Sequence, residues 1–517
     1  MVLLKRAFRV ASPNRIALHA PNRHPPTIVM KLRCLSVALW WLLGALALAQ
    51  TGALQQADEL ERQGHFKQAA QVLTAALAKP DLTATDRKQL EFDIDRLERI
   101  KKDFPYTQSA LFEELRKSVR DLTKAEFESW VAEGRFDSRD IDGKRFFMSA
   151  SVSNLFFRYP ELSSRRLPPK DTAALQKKHW EVSMAIQATA RAENKPYVLP
   201  KRFEATMRVV AKPNAAPSGE TIHAWLPIPR QYPFQSGFEL TSASPPMKHL
   251  DGPASPIRSV ELEQRAQKDK STEFKINFDY TMYGVSFDLN PSQVKPFDPN
   301  DPNVKQFTRE APHVVFTPEM RALSERIVGN ETNACIKAKK CYDWIAENIK
   351  YSFAIEYSTI RNISDYCRGH GYGDCGQEAL LFITLCRLNG IPARWQSCWN
   401  TFPNDKDIHD WSEIYLPPYG WVPVDPYMGI YATRYATSLT PEQRRQLRDF
   451  YFGGLDQYRM IANSDHSQTL APPKQSMRSD NVDFQRGELE WDHHNLYFDQ
   501  YSYEFTVKEV KPHGSVE

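Results

Sequence analysis

The stretch GYGDCGQEALLFITLCRLNGIPAR, Gly371 to Arg394, places a single thiol, Cys375, between a glycine-rich turn and a long apolar run. The run predicts a helix over 376–389 that ends at Asn389-Gly390, with Pro392 preventing resumption. Cys375 then stands at the first helical turn. Unpaired backbone N–H groups and the helix dipole favour an anion there. Both effects lower a thiol's pKa, and the thiolate is the nucleophile. Gly373 and Gly376 are expected to leave room beside the sulfur for a substrate backbone. Cysteine is more often a small buried hydrophobe. That reading fits Cys386, eleven positions on and on the same helix face. It fits a helix start behind a glycine turn poorly.

A thiolate nucleophile needs a base, and the base needs an acceptor to orient it. Downstream, HDWSEIYL (His409–Leu416) and WVPVD (Trp421–Asp425) read as strands joined by a PPYG turn. Alternation puts His409 on one face with Trp411, Glu413 and Tyr415. A turn centred on Pro418-Tyr419 brings Asp425 opposite about Ser412, a few residues from His409. A carboxylate there holds the imidazole with one nitrogen toward the thiol. Isolated His and Asp residues on a hairpin are more often surface groups. Their order behind a helix-start cysteine makes Cys375, His409 and Asp425 the candidate catalytic set.

Upstream of this block, 316–349 carries a helical pattern from Pro318, broken at Gly329-Asn330. Ala334, Ala338, Cys341, Ile345 and Ile349 form one apolar face. ARWQSCW (Ala393–Trp399) reads as a further strand. The GDCGQEALLFITLCRLNGIPAR and HDWSEIYLPPYGWVPVDP blocks resemble the transglutaminase-like superfamily, in which a helix-start Cys precedes a His and an Asp on neighbouring strands. The resemblance covers roughly 316–430. It implies a papain-like core, a helix packed on an antiparallel sheet, with Cys375 as nucleophile, His409 as general base and acid, and Asp425 as orienter. It also implies acyl transfer on a carboxamide or peptide bond of a protein or peptide substrate, through a thioester. The Cys375 N–H is the natural first oxyanion donor. Tyr366, Tyr372 and Gln377 remain open as the second. YFGGLDQYRMIAN (451–463) and VDFQRGELEW (482–491) resemble, less specifically, the tails of exported bacterial members.

The rest of the 517 residues predicts an α+β multidomain chain. A helical region is expected over 50–195, with helices at Thr85–Lys102, Gln108–Ser118 and, capped by Thr123, Leu122–Gly134. Its start, ADELERQGHFKQAAQVLTAALAKP, resembles one tetratricopeptide-type hairpin without a second copy. An antiparallel β-sandwich is expected over 196–305, its strands alternating apolar and polar and its end a Pro- and Asp-rich linker. The catalytic core spans 306–436, and a mixed extension packed on that core spans 437–517.

Residues 1–49 hold seven Lys or Arg and no Asp or Glu. They include LSVALWWLLGALALA (Leu35–Ala49), short for a membrane span of ~20 residues. They read as an export signal with its start at Met30 and a cleavage site at Ala47-Leu48-Ala49. The chain is thus expected to be periplasmic or extracellular, with an uncleaved anchor as the alternative. The remainder carries 60 basic and 63 acidic residues, and no basic stripe suggests nucleic acid.

No cofactor or metal is expected. Cys367, Cys375, His370 and His409 lack the paired short spacing of a zinc site. His370 reads as a loop residue, and Asp492–His494 as a solvated turn. Trp395, Trp399, Trp411 and Trp421 read as core. No acidic calcium site is visible around the core, unlike the cross-linking members of animals. The competing reading is a non-catalytic cell-envelope interaction protein built on the same scaffold.

Overall fold

A computed structural model describes residues 52–510 apart from residue 170, so the expected leader lies outside the described residues. Among the described residues no helix is long and apolar enough to cross a membrane.

The chain begins with helices α1 (52–62), α2 (Phe66–Leu77), α3 (Ala84–Asp103), α4 (Gln108–Ser118) and α5 (Lys124–Ala132). Their starts follow local chemistry. The Thr83, Thr107 and Thr123 hydroxyls each accept the backbone N–H three residues on, satisfying one of the donors that every helix start leaves open. This region also contains a hairpin that its helical pattern did not announce, β1 (Ser138–Ile141) with β2 (Lys144–Phe147). Two more helices close it, α6 (Ser151–Arg158) and α7 (Ala173–Glu193). The α1–α2 pair does not stack as a solenoid. Its buried Ala57, Phe66, Ala69 and Leu73 belong to the same apolar cluster as the Cys375 helix.

The sandwich follows: β3 (Tyr197–Ala211), β4 (Thr221–Pro227), β5 (Gln235–Ser244), β6 (Met247–Leu250), β7 (Ser259–Arg265) and β8 (Thr272–Ser286). Alternation sets its core. Phe203, Ala205, Met207 and Val209 on β3 and Phe274, Ile276, Phe278 and Tyr280 on β8 point inward. Within the linker lies a short helix, α8 (Pro302–Phe307), started by Asp301.

Next come α9 (Pro318–Val328), α10 (Ala334–Asn348), β9 (Lys350–Tyr351), α11 (Ile363–His370), β10 (Tyr372–Gly373) and α12 (Cys375–Leu388). The strands β11 (Ala393–Asn400), β12 (Asp407–Leu416) and β13 (Gly420–Val424) then run antiparallel to their neighbours. Helices α13 (Pro426–Ile430) and α14 (Pro441–Phe450) lead to β14 (Gly454–Leu455) and β15 (Arg459–Asn463). The last strands are β16 (Glu488–Trp491), β17 (His494–Leu496) and β18 (Tyr501–Val510).

The segment after residue 437 is not a separate layer on the core, as expected, but a shared one. β15 completes the core sheet, in the order β13-β12-β11-β15. β16 pairs β4, and β18 pairs β3 along ten residues, so these strands complete the sandwich. A local pattern cannot specify such long-range partners. The core sheet is covered on both faces. Ala393, Trp395, Ile414 and Val422 pack toward α12. Cys398, Trp399, Trp411 and Ile461 pack into the sandwich cluster.

Candidate active site

Helix α12 starts where the sequence places it. Its N-cap, Asp374, accepts the Gln377 N–H at 3.1 Å, and Cys375 is the first helical residue. Tyr357 donates its hydroxyl to the same carboxylate at 2.5 Å. All six cysteines from Cys335 to Cys398 are free, and Cys375 alone among them is only partly buried.

His409 and Asp425 meet in the interior. The hairpin pairs Ser412 with Val424, so the register is one residue off the expected one and Asp425 lies just past the strand. The side chains nevertheless join: His409 Nε2 stands 2.8 Å from Asp425 Oδ2. Asp425 Oδ1 accepts the Met428 N–H at 3.1 Å and so starts α13. Arg459 Nη1 on β15 donates to Asp425 Oδ2 at 3.1 Å, and its Nη2 donates to Asp456 at 2.8 Å. Burial pushes the Asp425 carboxyl up, but His409 and then Arg459 outweigh it and hold the group below the ordinary value. The carboxylate is therefore charged and fixes the ring. With Nε2 taken, Nδ1 is the nitrogen open to a proton.

The polar partner of the Cys375 thiol is not the imidazole but the next residue in the chain, with Sγ 3.6 Å from Asp410 Oδ2. Asp410 points to the α12 side of the sheet, as alternation requires of a neighbour of His409. It is itself held by Gln485 Nε2, which donates to Asp410 Oδ1 at 2.6 Å and to the His409 carbonyl at 3.1 Å. The expected lowering of the thiol pKa is overturned. Burial first, then the nearby Asp410 and Asp374 carboxyls, push Cys375 well above the ordinary thiol value, and the Asp410 backbone N–H only partly opposes them. The helix-start effect on the thiol is local. The carboxyl from β12 is a tertiary neighbour that local reasoning cannot see.

The glycines serve a different purpose from the one expected. A Cβ on Gly376 would stand 2.2 Å from the Tyr357 hydroxyl, 2.7 Å from Asp410 Oδ2 and 2.8 Å from Trp395. On Gly373 it would meet Gln377 and Cys367. The space admits the protein's own side chains. Of the open oxyanion candidates, Tyr372 donates its hydroxyl to Asp137 at 2.5 Å. Tyr366 stacks on His370 at 4.0 Å. Gln377 is buried with its Nε2 unpartnered. His370 ends helix α11 instead of lying in a loop, and its Nδ1 meets the Tyr366 carbonyl. Trp395, Trp399 and Trp411 are core, while Trp421 carries Arg394 over its face at 4.0 Å.

The Cys375 sulfur opens on a cleft of about 290 Å³ lined by Tyr351, Tyr357 and the C-terminal residues Asp480, Asp483, Gln485 and Arg486. Sequence reasoning missed Asp410, Arg459 and Gln485 as parts of the site. The two tail blocks, YFGGLDQYRMIAN and VDFQRGELEW, contain Arg459 and Gln485 and were the available signal. Among the described residues one group of potential metal ligands converges, His223 with Glu261 and Glu263 on the sandwich. The cysteines and histidines of the site form no such group.

Residues 321–426 match the transglutaminase-like superfamily. This stretch is a transglutaminase-like domain. Over 129 residues the chain is 26% identical to the uncharacterized protein YebA of Bacillus subtilis (strain 168), covering 21% of this chain and 17% of that one. Over 146 residues it is 24% identical to an uncharacterized protein of Haemophilus influenzae, covering 24% and 40%. The chain thus spans less than half the length of either relative. A candidate cysteine protease from Cytophaga hutchinsonii has a similar structure with a TM-score of 0.41 and 15% identity, covering 61% of this chain and 93% of that one. The periplasmic domain of TgpA from Pseudomonas aeruginosa gives 0.25 and 13%, covering 47% and 98%. The transglutaminase-like domain here is embedded in a mixed helical and antiparallel-sheet chain.

Proposed function

We propose that the chain is an exported cysteine-dependent acyl-transfer enzyme acting on carboxamide or peptide bonds of a protein or peptide substrate. The observation that carries this reading is the buried His409–Asp425 pair at 2.8 Å on the strand that also contacts Cys375. The resting thiol is protonated, so the nucleophile forms as it attacks. Cys375 Sγ bonds to the carboxamide carbon while its proton passes to His409 Nδ1, a transfer for which the ring must come round β12 from the face opposite Asp410, the group that meets the sulfur in the resting structure. Asp425 stabilises the resulting imidazolium. The Cys375 N–H, at a helix start, donates to the oxyanion, and Gln377 Nε2 is the second donor without another partner. The C–N bond then breaks as His409 returns the proton to the leaving amine. Water or a second amine attacks the thioester, loses its proton through His409 and restores the thiol. The basic, apolar segment before residue 50 supports export.

The raised thiol also favours a second reading, a non-catalytic envelope protein on the same scaffold. A peptide library offered together with a labelled primary amine separates the two. Incorporated label identifies a transferase, shorter peptides a protease, and Gln converted to Glu a deamidase. Each product is expected to vanish with Cys375→Ala. Products unchanged by that substitution, or none with folded protein across the library, contradict the enzyme.

A further inference from the structure

The cleft beside Cys375 is unusual in its charge. Seven carboxyl groups and one arginine line it. Glu356 has cationic neighbours, with Arg99 at 3.4 Å and Arg486 at 4.0 Å. The other six make no ion pair among the described residues. Asp374 and Asp410 flank the sulfur. Asp480 and Asp483 face them from the C-terminal segment, and Asp103 comes from the end of α3.

A second observation is independent of this charge count. Gln485, 1% exposed, lines the cleft, and its Oε1 accepts no hydrogen bond. Asp483 Oδ1, on a residue 4% exposed, is also without a donor. An unpaired buried acceptor costs about 1–3 kcal/mol. Such a cost persists at a site where a ligand supplies the donors. The ligand that satisfies both observations brings N–H donors and positive charge together. An anion meets repulsion here, and a neutral acceptor leaves both oxygens unpaired.

We infer that this cleft binds a positively charged group of the substrate, an ammonium or guanidinium carried next to the carbonyl that Cys375 attacks. The inference rests on Cys375 being the nucleophile, and it names the substrate class for that site. Burial holds Asp374 and Asp483 up at about 6 and Asp103 at about 7, with repulsion from Asp410 adding to it at Asp483 and from Glu356 at Asp103. A cation among them relieves that repulsion. It also offsets the share of the thiol's upward shift that Asp410 and Asp374 add to burial, so a cationic substrate assists its own attack. A metal ion fits less well. Among the described residues no three of these carboxyls converge within 4.8 Å.

The test uses the full chain and reads the local potential without turnover. Three methanethiosulfonates of similar size, one bearing a trimethylammonium, one neutral and one bearing a sulfonate, are reacted with the protein. In each case the thiolate attacks the sulfenyl sulfur, a mixed disulfide forms and the sulfinate leaves. Adduct on Cys375 is followed by mass spectrometry and normalised to a short cysteine peptide. The cationic reagent is expected to react about tenfold or more faster than the anionic one. That ratio is expected to fall in Asp480→Asn and Asp483→Asn, and in the wild type as salt is raised, which keeps the test open should either variant misfold. Equal rates, or preference for the sulfonate, overturn the inference. So does loss of the preference on adding EDTA with its return on adding calcium, which assigns the cleft to a metal ion. A charge preference at Cys375 with no peptide turned over sinks the proposed activity and leaves the cleft assignment standing.

Discussion

Asp425 bonds three partners at once: His409, Arg459 and the first turn of α13. Replacing it with Asn keeps the size and removes the charge. Turnover is expected to fall by about 10³–10⁴, because the imidazolium loses its counter-ion and the ring its fixed tautomer. Arg459 loses one of its two carboxylates, costing about 3 kcal/mol. Steady-state rates and denaturant melts of Asp425→Asn check both. Asp103 offers a test of sign. Burial, then Glu356, raise it to about 7 from 3.8. The folded state therefore holds this proton longer than the unfolded chain. The stability it lends is complete below about pH 4, lost as pH climbs to about 7, and flat above. Asp103→Asn is expected to melt above the wild type at pH 8, by about 1–2 kcal/mol after allowance for solvent screening. The two melts converge near pH 4. A gap that grows toward low pH contradicts the assignment. At this scale residue type and order singled out Cys375, His409 and Asp425 as candidates, and of these the structure joins His409 to Asp425. Asp410 stayed hidden although it adjoins His409, because its role depends on what faces the other side of the strand.

Helix starts were legible because they are local. The Thr123 cap and the Asn389-Gly390 stop set boundaries within two residues of those observed. The capping box at Thr440 and Gln443 is of the same kind, and Thr440→Ala is expected to cost about 1 kcal/mol, read as a shift in denaturation midpoint. The start of α12 was misread for the opposite reason. Gly376 looks permissive in sequence but is filled by Tyr357, Asp410 and Trp395. Gly376→Ala is expected to displace Asp410 from Cys375, destabilise by about 1–3 kcal/mol and abolish turnover. An active, fully stable Gly376→Ala would show that this packing is dispensable. The hairpin register was off by one because Leu416 pairs Gly420 about a turn centred on Pro418, a geometry that composition does not set.

Across the molecule, the order of helical region, sandwich and core was legible from the changes of hydrophobic period along the chain. The return of the chain was not. Pairing of β18 with β3 joins residues some three hundred positions apart, and no local signal marks it. The site inherits that closure: Arg459 and Gln485 reach it only after the core has ended in sequence. A fragment spanning 306–436 is therefore expected not to fold. Its sheet lacks β15, and the buried Asp425 lacks its arginine. Circular dichroism and proteolysis of the fragment test this; a cooperative melt from the fragment alone would contradict it.

Cys375 is expected to be acylated with His409 as its base. A single-turnover reaction with a p-nitrophenyl ester of an N-acylated amino acid, quenched in acid and mapped by mass spectrometry, tests this most directly. The expected result is one acyl group on Cys375, formed about 10²–10⁴-fold more slowly in folded His409→Ala. Acylation at another residue, or at Cys375 with an unchanged rate in His409→Ala, would contradict it.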